Sequence, residues 1–211
     1  MGSRIILRKP FPYIYKRYAL LLILLNVVVF YARRYFPNIS VYFPLNTVAI
    51  LYYKMYWQFV TYMFMHADFS HLFFNMLGLL IFGIQVEKTI GSREFLLFYF
   101  VTGALSGVLS YLYFYFTGQN STLVGASGVV YAILYAYAVL YPRSVFFIWG
   151  IIPLPAPLLV VLYTAIELVS QIFSVSNVAH FTHLFGFFVA WLYFVIRMGI
   201  HPIKVWKNAY K

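Results

Sequence analysis

The chain has 211 residues, of which 64% are apolar and 9% charged, with a mean hydropathy of +0.85 and a net charge of +11. Soluble domains run at about 45–50% apolar and about 25% charged, so 15 Lys+Arg and 4 Asp+Glu are too few to solvate a globular surface. The absence of cysteine excludes structural disulfides, thiol nucleophiles and Cys-ligated metals.

A helical span takes about 20 apolar residues, so this length accommodates roughly six spans with short loops. The expected class is an all-α polytopic membrane protein, a bundle of six transmembrane helices. Residues 1–12 form a basic N-terminal segment, 13–200 the single membrane domain and 201–211 a basic tail. The first apolar run, 13–32, has Lys16 and Arg17 near its start. No small-residue cleavage site follows it before Arg33-Arg34, so it reads as an uncleaved span. Residues 33–58 mix Pro37 and Pro44 with Tyr35, Phe36, Tyr42, Phe43, Tyr52, Tyr53, Tyr56 and Trp57. That composition suits a segment lying in the membrane interface, where rings are apolar and their tips wet. Further spans are expected at 70–87, 95–116, 124–141, 158–173 and 178–199, with a polar connection at 117–123. All nine prolines then fall in loops or at helix ends, Pro142, Pro153, Pro155, Pro157 and Pro202 among them.

Six spans place both termini on one side. The termini and even-numbered loops carry 12 of the basic residues, while the opposite side has only Arg33, Arg34 and Lys54. This asymmetry makes both termini cytoplasmic. Because the basic residues mark the ends of apolar runs rather than one amphipathic face, nucleic acid is not an expected partner, whereas membrane lipid is. The sequons at Asn38 and Asn120 then face outward.

Polar side chains inside spans are costly and point to function. On this topology they gather at the outer ends of spans two, four and six: His71 and Asn75, then Gly125-Ala126-Ser127-Gly128, then His180 and His183. Nothing comparable is expected at the cytoplasmic ends. Ser127, flanked by glycines near a helix N-terminus, is the candidate nucleophile, with unpaired backbone N–H groups nearby to hold an oxyanion. The same four residues also suit a small-residue packing surface. His183 is the candidate general base and His180 its alternative, three residues earlier. His71 and Asn75, one helical turn apart, are candidate oxyanion donors, or else interhelical hydrogen-bonding groups. The one aspartate, Asp68, lies outside this constellation, so a dyad rather than a triad is expected. Glu167 in span five reads as a protonated packing residue or as part of an ion path. The His180–His183 pair shows no acidic companion in sequence, which argues against an intramembrane zinc site.

These residues resemble the rhomboid family of intramembrane serine proteases. The stretch His66–Asn75 resembles that family's H-x-x-x-N region, Gly125-Ala126-Ser127-Gly128 its G-x-S-G motif, and Tyr131 the tyrosine one turn on that packs against the catalytic histidine. Thr182-His183-Leu184-Phe185-Gly186, with Ala190, resembles its A-H-x-x-G helix and selects His183 over His180. Two positions depart from the pattern: Trp57-Gln58 stands where Trp-Arg is usual, and Thr182 where alanine is. The resemblance implies the minimal six-helix form, without a cofactor, while the absence of cysteine and the short loops suit a prokaryotic cell membrane. It also implies cleavage in or next to transmembrane segments of membrane-protein substrates, by Ser127 and His183. The rivals are an inactive client-binding relative and a small transporter or channel using Glu167 and the histidines.

Overall fold

The structure, a computed structural model, describes residues 10–148, 151–173 and 180–211. Most of segment 1–12 and the expected start of span six at 178 lie outside the described residues. Among the described residues, six apolar helices of 14 residues or more form the bundle. Four are long and apolar enough to cross a membrane: α5 (Phe69–Ile90), α6 (Ser92–Phe116), α8 (Ala156–Phe173) and α9 (His180–Met198). The other two, α1 (Tyr18–Ala32) and α7 (Ser127–Leu140), are shorter than the expected spans. At ~1.5 Å per residue, the 14 residues of α7 extend about 21 Å against a hydrocarbon core of about 30 Å. Its N-terminus, flanked by buried Ala126 and Gly128, lies inside the protein.

The segment expected to be irregular instead holds three short helices, α2 (Asn38–Tyr42), α3 (Thr47–Tyr53) and α4 (Gln58–Thr61). The side chains of Tyr35, Phe36, Tyr52, Tyr53, Tyr56 and Trp57 point outward, as an interfacial layer requires. Gln58 is fully buried, accepting from the Asn46 N–H at 3.1 Å and donating to the Tyr42 carbonyl at 3.3 Å. The Trp57 indole donates to that carbonyl at 3.0 Å. Trp57-Gln58 thus anchors the segment without an arginine. Strand β1 (Leu45–Asn46) pairs antiparallel with β2 (Thr122–Leu123), tying this segment to the polar connection that leads into α7. A second ribbon, β3 (Val145–Ile148) with β4 (Ile152–Pro155), occupies the connection before α8. Pro153 and Pro155 lie in this strand rather than in a loop. A two-stranded ribbon has free edges, which tolerate the missing N–H groups.

Helix α9 packs chiefly on α7 and α6 and forms the middle of the bundle, while α8 leans on α7 and α9 from outside. Phe95, Phe98, Tyr99, Ile133 and Phe194 fill the wholly buried core between them. A methyl group at Gly186 would lie 2.1 Å from the Gly128 carbonyl oxygen, so α7 and α9 touch backbone to backbone here. Small residues permit such approach between membrane helices. Thr182 is accommodated by a 2.7 Å hydrogen bond with the Ser110 hydroxyl on α6.

The opposite end of the bundle corrects one expectation, since it too carries buried polar groups. Glu87 accepts from the N–H groups of Tyr18 and Ala19 at 2.7 and 2.9 Å and caps α1 from α5. Glu94 accepts from Arg197 at 2.8 and 3.0 Å, from the Tyr193 hydroxyl at 2.5 Å and from the Phe11 N–H at 3.1 Å. Both carboxylates are used up in joining elements, as buried charges must be.

His66, just before α5, is wholly buried with neither ring nitrogen hydrogen-bonded. Burial holds its pKa at about 3, far below the ordinary 6.5, helped by the His71 ring 5.1 Å away. A lowered folded-state pKa means that stability present above pH 6.5 is lost as the pH falls. Between pH 6.5 and 4 the loss should reach roughly 3 kcal/mol. Thermal unfolding of the wild type and of His66→Phe across this range checks it: the variant should show a flatter pH dependence.

Candidate functional site

The turn before α7 is set by Gly125, whose φ of +112° favours glycine. Its N–H donates to the Tyr62 carbonyl at 3.0 Å. A methyl at Gly125 would also lie 2.5 Å from His71 Nε2, so the residue is glycine for two separate reasons. Helix α7 then begins at Ser127, three residues later than expected. This leaves its first N–H groups without intrahelical partners at the positive end of the dipole.

His183, from the first turn of α9, brings Nε2 to 2.8 Å from the Ser127 hydroxyl oxygen. The Tyr131 ring stacks on the His183 imidazole with centroids 4.2 Å apart and planes 15° from parallel. His183 is buried and Ser127 half-buried, and both line a cavity of about 890 Å³. The cavity runs between α5 and α7 toward α8, with Phe74, Ile81, Leu134 and Leu159 among its apolar walls. His71 and Asn75 line the same cavity from α5. Asp68 caps that helix by accepting from the His71 N–H at 2.8 Å. The Ala67 N–H donates to His71 Nδ1 at 3.5 Å, which leaves the ring proton on Nε2, beside Gly125. The Asn75 amide donates one hydrogen bond to the His71 carbonyl at 2.9 Å, and its second N–H is left over for another acceptor.

Two expectations fail at Glu167. His183 has an adjacent carboxylate: Glu167 Oε1 lies 2.9 Å from His183 Nδ1. The oxygen sits off the line of the N–H bond, so the contact is close without being an aligned hydrogen bond. The other oxygen, Oε2, is 2.5 Å from His180 Nδ1, and the Tyr131 hydroxyl donates to Oε1. Glu167 is therefore neither remote from the site nor a packing residue alone. The His180–His183 pair also has the acidic companion that sequence reading denied it. The three residues place one ligand atom each within 4.8 Å of one another. As they stand, His183 Nε2 is turned to Ser127 and both Nδ1 atoms to the carboxylate, an arrangement for holding protons. His180, the alternative base, is engaged with Glu167, whereas Ser127 is reached by His183.

Fold and site together define a polytopic helical membrane protein with a serine–histidine pair lining a cavity between its helices. Residues 53–199 match the rhomboid domain, and the chain belongs to the rhomboid family. Over 146 residues it is 33% identical to RHOMBOID-like protein 12, mitochondrial, of Arabidopsis thaliana, covering 62% of this chain and 43% of that protein. Over 78 residues it is 36% identical to Rhomboid protease GlpG of Haemophilus influenzae, covering 37% of this chain and 38% of that one. Rhomboid-related protein 3 of Homo sapiens is 34% identical over 104 residues, covering 49% and 23%. The chain thus spans less than half the length of each of these relatives.

Proposed function

We propose that the protein is an intramembrane serine endopeptidase that hydrolyses peptide bonds in or next to transmembrane segments of other membrane proteins. The observation that carries this is the 2.8 Å contact between the Ser127 hydroxyl and His183 Nε2 at the start of a helix, inside a cavity. Ser127 Oγ bonds to the scissile carbonyl carbon while its proton passes to His183 Nε2. The carbonyl oxygen takes up the negative charge, facing the Ser127 N–H, His71 and Asn75. Collapse breaks the C–N bond, and the departing amine takes the proton back from Nε2. Water then repeats the sequence on the acyl-ester, with its proton again going to His183. The apolar cavity walls suit the side chains of an unwinding transmembrane segment. With both termini cytoplasmic, the site faces outward, where water reaches it beside the 117–123 connection. The chemistry asks for neither cofactor nor metal.

A fluorophosphonate probe tests this reading. It should label the folded protein at Ser127, fail to label after acid denaturation, and block cleavage of a single-span substrate in proteoliposomes, with or without a chelator. Cleavage that continues after complete labelling would sink the proposal. A folded protein that neither labels nor cleaves would favour the client-binding alternative.

A further inference from the structure

We infer that Glu167 is a positioning residue that holds His183 for proton transfer, which extends the proposed serine–histidine pair into a relay of Ser127, His183 and Glu167. This rests on the endopeptidase reading above. The carboxylate comes from α8, a helix whose other face is apolar and exposed, at Leu158, Val161, Leu162 and Val169. A buried carboxylate is costly unless donors surround it, and Glu167 is only 5% exposed. Its donors arrive from two further helices, Tyr131 from α7 and His180 and His183 from α9.

Packing alone does not account for where these donors point. His180 and His183 are three residues apart and share a face of α9. Each turns Nδ1, not Nε2, to the carboxylate. For His183 this choice has a consequence across the ring. A proton kept on Nδ1 leaves the Nε2 lone pair free for the Ser127 hydroxyl, the tautomer a general base requires. When Nε2 takes the serine proton, the ring becomes a cation with a carboxylate 2.9 Å from its far side. The Nδ1 contact is off-line in the free protein, and such contacts tighten as the reaction proceeds. His180 on Oε2 and the Tyr131 hydroxyl on Oε1 fix how the carboxylate is rotated. Tyr131 serves twice, since its ring also stacks on the imidazole it helps to orient.

Glu167→Gln separates this role from a structural one. The amide keeps the shape, its oxygen still accepting from Tyr131 and its NH2 turned to His180 Nδ1, but it removes the charge facing His183. We expect kcat to fall on the order of 10²-fold, KM to stay within about twofold, and the unfolding temperature to be unchanged. Glu167→Asp, which retains the charge at shorter reach, should keep more of kcat than Glu167→Gln. A readout without substrate is the proton resonance of His183 Nδ1–H, identified by its absence in His183→Ala. It should lie further downfield in the wild type, where a carboxylate oxygen is 2.9 Å away, than in Glu167→Gln. Wild-type kcat in Glu167→Gln with an unmoved resonance, or a lower kcat in Glu167→Asp than in Glu167→Gln, would overturn the inference. If the wild type cleaves nothing, the endopeptidase reading fails by itself, and the resonance alone decides the positioning.

Discussion

Ser127→Ala and His183→Ala are each expected to slow cleavage of a reconstituted single-span substrate by at least ~10⁴-fold, about 5.4 kcal/mol of transition-state stabilisation. The double variant should lose no more than either single one. A serine hydroxyl at neutral pH is a poor nucleophile without an acceptor for its proton, and a base 2.8 Å from nothing has no proton to take. The two groups therefore act as one unit, and their losses do not add. KM should hold, because the cavity walls that would bind the segment, such as Phe74, Ile81 and Leu159, are untouched. His180→Ala should be much milder, because His180 contacts Glu167, whereas His183 contacts Ser127. Initial rates against substrate concentration in proteoliposomes check all four variants. Additive losses would mean that serine and histidine act separately, which is incompatible with a shared proton.

What could be read ahead of the structure was whatever a local pattern encodes. The spans were legible because their apolar runs have the length of a membrane, and most ends agree within three residues. Span four began late because Gly125 turns the chain at a positive φ, a conformation that hydropathy does not register. The two ribbons were not legible. Leu45 pairs with Leu123 and Asn46 with Thr122, partners nearly eighty positions apart, and neither stretch has the length or alternation of a strand. The three short helices at 38–61 were hidden by the same aromatics that correctly marked the segment as interfacial.

The site was legible in its members and not in its wiring. Ser127, His183, His71 and Asn75 stood out as costly polar groups in apolar runs, and the structure brings all four to one cavity. Glu167 stood out equally and was set apart, because its partners depend on how α8 is rotated against α9. A signal was present nonetheless. Glu167 lies six residues before the end of α8, about 9 Å along the helix, and His183 three residues into α9. A short connection between antiparallel neighbours puts both at similar depth. The carboxylates at the opposite end of the bundle were overlooked for a related reason: Glu87 and Glu94 flank a span boundary, where charge is ordinary, and only their burial distinguishes them.

Gly186→Ala is expected to lower cleavage by about 10²-fold or more while leaving Ser127, His183 and Glu167 chemically intact. The added methyl would meet the Gly128 carbonyl oxygen at 2.1 Å and its carbon at 3.0 Å. Ordinary contact begins near 3.4 Å, so α7 and α9 must part by more than ~1 Å, since packed backbone has nowhere else to go. Gly128 adjoins Ser127 and Gly186 lies one turn from His183, so the separation falls directly on the 2.8 Å hydrogen bond between them. Stretched by that amount, the contact leaves hydrogen-bonding range. Gly128→Ala supplies the graded comparison. Its methyl would meet the Thr182 side-chain methyl at 3.1 Å, and a side chain can yield where a backbone carbonyl cannot. The loss there should be smaller. Rates of fluorophosphonate labelling and of substrate cleavage should fall together and in this order, with Gly186→Ala the slower. Wild-type labelling in Gly186→Ala would show that backbone contact between α7 and α9 does not set the distance from serine to histidine.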